Sequence, residues 1–475
     1  MSEDENDLTD TCERQAVSDR SNIIMVLLKS VHLAIDLVLF FFAFTWFRYG
    51  SITGFDSVGF RYNYFVTFGY AFLICYFVKT YNASAYGFYR IRILAYSQAL
   101  SQIFSLAITY AAVCIAWRRL VAPWPLLMIL PVQFLIDAIW SYVITGCFFK
   151  LYPRKRTLLI YRNSLDYKRF GAITGKPLDR MHKITDELQF DGTFHELETK
   201  LKGFDSIFVA GVNPRCMNGL LKYCCENGVS GFFLPHVGDV IMMGSTHIPS
   251  FDSPVLYVNR KALNPIYAFF KRAFDIVTSG LALVVLSPIM LITAIIIKCY
   301  DKGPALYKQT RLTKNGKEFK ILKFRSMRVD AEKDGIARLS SGDMDDRITP
   351  IGRFIRKCRI DELPQLINIF KGDMSVVGPR PERPEIAEQY YESMPDFKLR
   401  LQVRAGLTGY AQVYGKYNTE PYEKLEYDLL YINQMNFLTD IELCFATFLV
   451  LFQKESTEGI APHQTTALDS DEAID

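Results

Sequence analysis

The stretch FDIVTSGLALVVLSPIMLITAIIIKC at residues 274–299 decides how the C-terminal part of the chain is built. It is long enough to cross a bilayer, but Ser287 and Pro288 interrupt it. Proline within a helix removes a backbone hydrogen bond and kinks the helix, and the Ser287 hydroxyl can bond the carbonyl that becomes free. Basic residues flank both ends, so the charges give no direction of insertion. The stretch predicts either a kinked transmembrane span or, over 273–299, a re-entrant helix that returns to the face it entered.

Four further apolar stretches precede it, and each is close to the ~20 residues that span a bilayer. We therefore predict four transmembrane helices within 22–150, and the presence of Asp36 and Lys29 in the first suggests that they pack through a polar face. Basic residues follow the last span, which places everything after residue 150 in the cytoplasm. The acidic segment 1–21 predicts a disordered tail rather than a signal peptide. The predicted spans are 22–47, 62–80, 97–117 and 124–149.

Composition excludes several classes of protein. The chain has 475 residues, of which 50% are hydrophobic and 22% charged, and this excludes disorder, collagen and a small disulfide scaffold. At about 150 residues per domain, the length suggests roughly three units. A net charge of only +4 argues against a polycation that binds nucleic acid. The ten cysteines have no Cys-x-x-Cys or zinc-type spacing, which argues against a disulfide framework or a structural metal.

The middle segment, 151–262, has an α/β pattern. Strand-like runs at 157–161, 206–210 and 231–234 alternate with helical stretches, which predicts a parallel sheet. A dinucleotide site needs glycines directly after the first strand, but RNSLD follows at 162–166. We therefore predict a degenerate Rossmann-like module with a structural or regulatory role and without NAD.

Residues 301–380 form a basic region. They carry 18 Lys and Arg against 11 Asp and Glu, a local net charge of +7, which favours anionic lipid, phosphate or nucleotide as partners. Asn315-Gly316 lies between two strand-like runs and predicts a hairpin. Its second strand carries a row of cations, namely Lys320, Lys323 and Arg325.

The segment RFIRKCRIDELPQL, residues 353–366, places two adjacent carboxylates, Asp361 and Glu362, among cations that include Arg356. Pro364 is tolerated in a first helical turn, so a new helix is expected from about Asp361, and a helix N-terminus can hold a phosphate. One carboxylate could be a nucleophile and the other a Mg²⁺ ligand. The alternative is an N-capping aspartate beside solvated charges.

Two further segments add to this pattern. In VGPRPE, residues 377–382, Arg380 is fixed between two prolines, which suits bidentate phosphate binding; the alternative is a rigid surface turn. In RAGLTGYAQ, residues 404–412, two glycines and Thr408 form a loop that can direct backbone N–H groups at an anion.

Together, these segments resemble the bacterial sugar transferase family, the monotopic polyprenyl-phosphate sugar-1-phosphate transferases. The resemblance covers about 265–455, and the four spans with the middle module resemble the long subclass that starts exopolysaccharide, capsule or O-antigen synthesis. The family loop usually reads Pro-Gly-Leu-Thr-Gly-Trp, whereas this chain has Ala405 and Tyr410 at the first and last of these positions. The motifs that carry the resemblance are KRAFDI from Lys271, the Ser-Pro helix, KFRSM at 323–327, DELP at 361–364, GPRP at 378–381 and the GLTG loop.

The resemblance implies transfer of a sugar-1-phosphate from a UDP-sugar to undecaprenyl phosphate, with release of UMP. Asp361 matches the family's nucleophile and Glu362 its Mg²⁺ ligand, whereas Arg356 and Arg380 match phosphate-binding arginines. Lys323, Arg325 and Thr408 are further candidates for phosphate binding. The implied partners are the UDP-sugar, undecaprenyl phosphate and membrane lipid, without nucleic acid; a homodimer is left open.

The implied protein is a multi-pass enzyme of the bacterial inner membrane, and its catalytic domain faces the cytoplasm. Since the UDP-sugar is cytosolic, this favours the re-entrant helix over a crossing. The predicted fold is a membrane protein with α and α/β parts, comprising a four-helix transmembrane bundle (22–150), the Rossmann-like module (151–262), a small α/β transferase domain with the re-entrant helix (263–455), and disordered acidic tails (1–21 and 456–475).

Two other functions are weighed against this one. The chain could be a catalytically inactive membrane scaffold for polysaccharide assembly. A processive glycosyltransferase would need a metal-binding Asp-x-Asp; Asp343-Met-Asp345 has that spacing but lies in a polar loop without the flanking strand. The apolar segment 437–452 contains acidic residues and is expected to form an amphipathic helix at the membrane interface.

Overall fold

A computed structural model describes ten segments of the chain. Their contacts divide it into two compact units, Met1–Leu234 and Pro235–Asp475. The predicted tail 456–475 and Asp343 lie outside the described residues. The described residues are 2–51, 59–89, 91–174, 181–250, 253–258, 264–328, 331, 345, 347–415 and 420–451.

The first unit begins with four long helices that pack around an apolar core. Phe40 stacks on Tyr70 within this core. Residues 2–20, for which the composition predicts a disordered tail, are instead the first turns of a 50-residue helix. The helices are α1 (Ser2–Ser51), α2 (Gly59–Thr80), α3 (Ile91–Trp117) and α4 (Trp124–Leu151).

Within the described residues, four helices are long and apolar enough to cross a membrane. Three of them correspond to the first, third and fourth predicted N-terminal spans. The second predicted span, 62–80, is helical within α2 but is not one of the four, because polar residues such as Asn63 and Lys79 reduce its hydropathy. The four segments are Ser21–Thr45, Ile91–Trp117, Leu126–Leu151 and Pro265–Tyr300.

A small parallel sheet follows the four helices, with strand order β2-β1-β3-β4. The three predicted strands are confirmed to within two residues as β1, β3 and β4. The sequence analysis missed β2, whose mostly exposed side chains give no apolar alternation. The Rossmann-like assignment stays a prediction. The elements are β1 (Lys155–Tyr161), α5 (Ser164–Thr174), β2 (His182–Gln189), α6 (Phe194–Glu198), β3 (Ser206–Ala210), α7 (Pro214–Asn227) and β4 (Ser230–Phe233).

The described residues of the second unit form one long helix, two antiparallel hairpins and one short parallel pair of strands, besides shorter helices. Short 3-10 helices occur at Lys314–Gly316, Ile360–Glu362 and Pro395–Gln402. Its elements are α8 (Val237–Met243), β5 (Thr246–Ser250), β6 (Ser253–Tyr257), α9 (Pro265–Asp301), β7 (Leu306–Leu312), β8 (Glu318–Phe324), α10 (Pro350–Lys357), α11 (Gln365–Lys371), β9 (Ser375–Val377), α12 (Pro384–Ser393), β10 (Gly406–Thr408), α13 (Tyr410–Tyr414), α14 (Pro421–Gln434) and α15 (Phe437–Leu451).

The largest core of this unit joins α8, α12, α14 and α15. Val240 of α8, which the sequence analysis grouped with the middle module, packs here with Leu425 and Leu429. The predicted hairpin is confirmed as β7–β8, since Leu312 pairs with Glu318 in antiparallel register. Asn315 and Gly316 both adopt positive φ, which is the conformation that selects these residue types in tight turns.

Helix α9 exposes most of its apolar surface and yet contacts its own unit along its whole length. Leu283 and Leu286 pack against the core of β8 and α11, and Ile297, near the other end, packs with Phe324 and Ile355. The hydrogen bond predicted for the Ser-Pro break is confirmed, because Ser287 Oγ donates to the Val284 carbonyl at 2.8 Å. A proline at 288 leaves that carbonyl without its helical N–H donor. The re-entrant path itself stays a prediction.

Candidate active site

The two adjacent carboxylates lie on a tight turn between α10 and α11. Arg359 takes a left-handed conformation with φ of 56° and ends α10, and a 3-10 turn over Ile360–Glu362 follows. Helix α11 begins only at Gln365, with Pro364 as its N-cap, so the predicted helix start at Asp361 is wrong by four residues. The turn directs Asp361 inward, where the residue is 8% exposed.

The hydrogen bonding of the Asp361 carboxylate is incomplete. Its Oδ1 is buried without a hydrogen-bond partner among the described residues, and so is Nη1 of Arg356. Burial and the neighbouring Glu362 carboxylate raise the pKa of Asp361 to about 6, against the opposing effect of Lys323 and Arg356. A native carboxylate that is buried with an unmade hydrogen bond needs an explanation, and a catalytic role is one.

Glu362, in contrast, is surrounded by cations. Its Oε1 accepts a hydrogen bond from Arg380 Nη2 at 2.9 Å and lies 3.9 Å from Lys323 Nζ and 3.8 Å from Arg359 Nη1. Burial alone raises the pKa of Glu362, but these three cations outweigh it and hold that pKa well below its usual range. Glu362 is therefore ionised whenever the domain is folded near neutral pH.

Lys323 is the one lysine among the three cations around Glu362, and its protonation state is the one that burial can change. Desolvation lowers the pKa of Lys323 to about 8; Glu362 opposes this shift and Arg380 adds to it. Lysine shifts its pKa readily when buried, whereas arginine stays charged. The site thus combines one carboxyl group that titrates near pH 6 with an ammonium group that titrates near pH 8.

A backbone brace holds Arg380 beside Glu362. Gly378 N donates to the Thr408 carbonyl and Gly406 N donates to the Pro379 carbonyl, each at 2.8 Å. A Cβ on Gly406 would lie 2.1 Å from Gly378 N, so the two backbones can approach this closely only without a side chain there. The glycines of the GLTG loop therefore serve backbone packing against the GPRP segment.

A buried arginine that the sequence analysis missed supports the same segment. Arg400 Nη2 donates to the Arg380 carbonyl at 2.8 Å and lies 2.7 Å from Asp428 Oδ2, while its Nη1 lies 3.5 Å from Glu382 Oε1. Arg400 is 3% exposed. Nothing in the local sequence distinguishes a buried arginine from the surface arginines around it, so no motif signalled this network.

Two predicted site residues lie elsewhere. Neither Arg325 nor Thr408 hydrogen-bonds or ion-pairs with Asp361 or Glu362 in the described part of the chain. The Arg325 guanidinium fills the space that a Cβ on Gly303 would occupy, because the chain turns toward the end of α9 directly after β8. Thr408 Oγ1 instead bonds Thr447 Oγ1 on α15 at 2.6 Å.

The KRAFDI segment anchors α9 to this domain. Asp275 Oδ1 accepts hydrogen bonds from Ser375 Oγ at 3.0 Å and Val376 N at 2.9 Å. Arg272 donates at 2.8 Å to two carbonyls in the last turn of α11, where a cation interacts favourably with the helix dipole. Lys271 Nζ lies 2.8 Å from the buried carboxylate of Asp440 on α15. The segment therefore fixes the apolar helix to the strand and helix next to the carboxylate pair.

The donor set fits a magnesium ion. Mg²⁺ is usually held by one or two carboxylates, with water and substrate phosphate oxygens completing its coordination. In the described chain all the ion pairs of Glu362 run through Oε1, so Oε2 is the oxygen of this side chain that would bind the metal.

Buried carboxylates whose pKa values are strongly shifted are typical of an enzyme's active site, and here the site belongs to a domain fixed to a helix that is long and apolar enough to cross a membrane. A sequence model described as "bacterial sugar transferase" matches residues 266–454, the region that contains α9 and the carboxylate pair. An exopolysaccharide production protein, PSS, of Rhizobium leguminosarum bv. phaseoli is 40% identical over 186 residues, which cover 37% of this chain and 92% of that protein. This chain belongs to the bacterial sugar transferase family.

Two enzymes are similar over a smaller share of their length. The UDP-N-acetylgalactosamine-undecaprenyl-phosphate N-acetylgalactosaminephosphotransferase of Aeromonas hydrophila is 42% identical over 187 residues, 39% of this chain and 44% of the enzyme. The UDP-glucose:undecaprenyl-phosphate glucose-1-phosphate transferase of Escherichia coli (strain K12) is 38% identical over 211 residues, 43% of each protein. The match thus spans less than half the length of these two relatives.

Proposed function

We propose that this protein transfers a sugar-1-phosphate from a UDP-sugar to undecaprenyl phosphate and releases UMP. The product, undecaprenyl diphosphate sugar, would be the first membrane-bound intermediate of an exopolysaccharide, capsule or O-antigen pathway. The similar enzymes of Aeromonas hydrophila and Escherichia coli are named for this reaction with UDP-N-acetylgalactosamine and UDP-glucose. Both sugars are therefore candidate donors for this chain.

The observation that carries the proposal is the unequal environment of two adjacent carboxylates. Glu362 is paired with three cations, whereas Asp361 Oδ1 is buried and has no hydrogen-bond partner among the residues that the structure describes. An oxygen that already accepts a strong hydrogen bond is a poor nucleophile, while a desolvated carboxylate is a better one. This assigns the nucleophile to Asp361 and an electrostatic role to Glu362.

The proposed chemistry has two displacements at the same phosphorus atom. An Asp361 oxygen attacks the β-phosphorus of the UDP-sugar, and the bond from that phosphorus to the oxygen that bridges the two phosphates breaks. UMP leaves with the bridging oxygen, and the sugar-phosphate remains on the aspartate. An oxygen of undecaprenyl phosphate then attacks the phosphorus, and the bond to Asp361 breaks. No net proton transfer is needed in either displacement.

The cations have distinct roles in this scheme. Arg356, whose buried Nη1 has no partner among the described residues, would bind the transferred phosphate, and Arg380 would bind it from the braced GPRP segment. Lys323 would offset the repulsion between the attacking carboxylate and the diphosphate. Glu362 would hold Mg²⁺, which when bound neutralises charge on phosphate oxygens.

Helix α9 supports placing this site at a membrane surface. Both halves of the helix pack on the same domain, while side chains such as Leu281 and Val284 stay 65% and 72% exposed. A helix that enters the inner leaflet and returns would present those side chains to lipid and keep both ends at one face. The proposed location is the bacterial inner membrane, with the catalytic domain in the cytoplasm.

The test uses the full chain in lipid nanodiscs with undecaprenyl phosphate and a panel of UDP-sugars. UMP release with one sugar is expected, and Asp361→Asn should reduce it by at least ~10³-fold, the scale on which loss of a covalent nucleophile is measured. Asp396→Asn, at an exposed aspartate of the same domain, is the matched control. Chelation by EDTA should abolish release, and added Mg²⁺ should restore it.

Omitting undecaprenyl phosphate sharpens this experiment. The sugar-phosphate should then accumulate on Asp361 and be detected by peptide mass spectrometry. Release of UDP in place of UMP would contradict phosphosugar transfer. If Asp361→Asn left polymer production by cells unchanged, the inactive scaffold would replace the enzyme.

A further inference from the structure

A polar cluster lies inside the N-terminal bundle. His32 and Asp36 are one turn apart on α1, and Asp137 faces them from α4. The three residues are 8%, 4% and 1% exposed, and each lies in the central part of a candidate membrane span. Ionisable side chains within a membrane are energetically unfavourable, and they mark functional sites by default.

The three side chains converge on one point. His32 Nε2 lies 2.9 Å from Asp137 Oδ1 and 3.9 Å from Asp36 Oδ2, and one ligand atom from each residue lies within 4.8 Å of the other two. Ligands at about 2.0–2.2 Å from a tetrahedral metal are separated by roughly 3.3–3.6 Å. The observed separations bracket that value, so small side-chain movements would bring all three atoms onto one ion.

The imidazole is held in a fixed orientation. The ring of Trp140, on α4, stacks on His32 with a centroid distance of 5.6 Å and an interplanar angle of 15°. Asp36 is oriented as well, since Gln102 on α3 donates a hydrogen bond to its Oδ1 at 3.3 Å. Partners that orient the ligands of a metal are a regular feature of metal sites.

Unpartnered acceptors provide an independent observation. Asp137 Oδ2 is buried without a hydrogen-bond partner in the described part of the chain, and so is Oε1 of Gln102, beside Asp36. Two aspartates with one histidine carry at most one positive charge against two negative ones. A divalent cation would neutralise this excess and occupy the unpartnered oxygen, which a purely structural hydrogen-bond network would leave unsatisfied.

We propose that His32, Asp36 and Asp137 bind a divalent transition-metal ion inside the membrane bundle and tie α1 to α4. One imidazole nitrogen and two carboxylate oxygens suit Zn²⁺, which accepts both ligand types and commonly leaves a fourth position for water or another oxygen. This site is separate from the magnesium site of the transferase domain and does not depend on the proposed reaction.

The test measures metal content of the full chain in nanodiscs, purified through a tag without histidine and stripped with a chelator. After incubation with Zn²⁺ and desalting, the wild type should retain one equivalent more than His32→Gln or Asp137→Asn. His195→Gln is the matched control, because the His195 side chain is 96% exposed. Zn²⁺ affinity should fall by at least ~100-fold in the two cluster variants, since loss of an orienting partner alone weakens metal binding by about 10–100-fold.

Two further readouts make the outcome decisive. Zn²⁺ should raise the Tm of the wild type and of His195→Gln but not of Asp137→Asn or Asp36→Asn, which retain the shape of the side chain. Co²⁺ in place of Zn²⁺ should give a visible absorption band that the cluster variants lose. Equal metal retention by wild type and folded variants would overturn the proposal. The proposal would also be overturned if Zn²⁺ left the Tm of the wild type unchanged while Asp137→Asn had a higher Tm than the wild type. A protonated carboxyl group at Asp137 would then account for the cluster without a metal.

Discussion

Two clusters of buried charged side chains meet at Arg380, and they differ in whether all their buried polar atoms have hydrogen-bond partners among the described residues. In the first, Arg400 binds Asp428 and Glu382, and within the described chain none of these side chains has a buried atom without a hydrogen-bond partner. In the second, Asp361 Oδ1 lacks a hydrogen-bond partner in the same described part of the chain. The first cluster is a closed network that holds a loop, whereas the second stays open at one oxygen.

The difference separates stability from function. Unmade hydrogen bonds in an interior destabilise a fold, so selection for stability alone does not explain Asp361. Proteins break local rules of this kind mainly at functional sites. Substitutions in the two clusters should therefore affect folding and catalysis in different proportions.

The largest expected effect on stability is at Arg400. Arg400→Met leaves the carboxylates of Asp428 and Glu382 buried without their cation, which should destabilise the protein by about 3–5 kcal/mol. Thermal unfolding of the full chain in nanodiscs measures this, with the exposed Arg404→Met as control. Turnover per folded molecule should fall by no more than roughly tenfold, or about 1.4 kcal/mol. A variant that keeps its Tm but loses all turnover would place Arg400 in the catalytic machinery instead.

The two adjacent carboxylates should give stability changes of opposite sign. The pKa of Asp361 is raised from 3.8 to about 6, so its contribution to stability is fully present only at low pH and is lost as pH rises to 6. At pH 7 the ionised group opposes folding by on the order of 2–3 kcal/mol, and Asp361→Asn should raise Tm while abolishing turnover. Lowered Tm in this variant would show that ionised Asp361 is satisfied in the native state.

Ionised Glu362, unlike ionised Asp361, stabilises the folded protein. Its pKa is lowered, so its contribution is present above the unfolded pKa and is lost on acidification. Glu362→Gln should lower Tm near neutral pH, because Arg380, Lys323 and Arg359 lose their common anion. Asp396→Asn again provides a neutral reference.

The cluster around Asp361 should also give a bell-shaped dependence of kcat/KM on pH. Asp361 must be ionised to attack, so kcat/KM for the UDP-sugar should rise with pH until about 6, by about tenfold per unit on the acid side. Lys323 must be protonated, so the rate should fall above about pH 8. Lys323→Arg should move the alkaline limb upward and leave the acid limb in place, since arginine keeps its charge. A profile that is flat between pH 5 and 7 would contradict an ionising nucleophile.

The sequence predicted the parts of this site that depend on local chemistry. Asn315-Gly316 specified its hairpin, and Ser287-Pro288 its carbonyl bond, because both effects act within a few residues. Adjacency alone placed Asp361 beside Glu362. The sequence could not indicate which carboxylate would be paired, since two of the three cations around Glu362 come from β8 and the GPRP segment.

The sequence also could not indicate where a side chain points once its strand has ended. Lys323 and Arg325 share one face by strand periodicity, but β8 ends at Phe324, and of these two residues only Lys323 ion-pairs with Glu362 in the described chain. The glycine loop predicts that Thr408 faces an anion, yet its hydroxyl bonds Thr447 on α15. Tertiary contacts between distant segments, which a single sequence does not reveal, decided both positions.

The smallest expected change in stability comes from a hydrogen bond between uncharged groups in α9. It provides a reference for the stability changes in the two charged clusters. Ser287→Ala removes the donor to the Val284 carbonyl that Pro288 leaves free, and should destabilise the protein by about 1 kcal/mol. Thr278→Val is the matched control: Thr278 Oγ1 donates to the Phe274 carbonyl in an uninterrupted part of the helix, so its loss orphans nothing. Adding Pro288→Ala to Ser287→Ala restores a backbone donor and should cancel most of the loss, a coupling that a double-mutant cycle measures. Strict additivity of the two substitutions would mean that the serine stabilises α9 independently of the proline, and the Ser-Pro pair would then not be one unit.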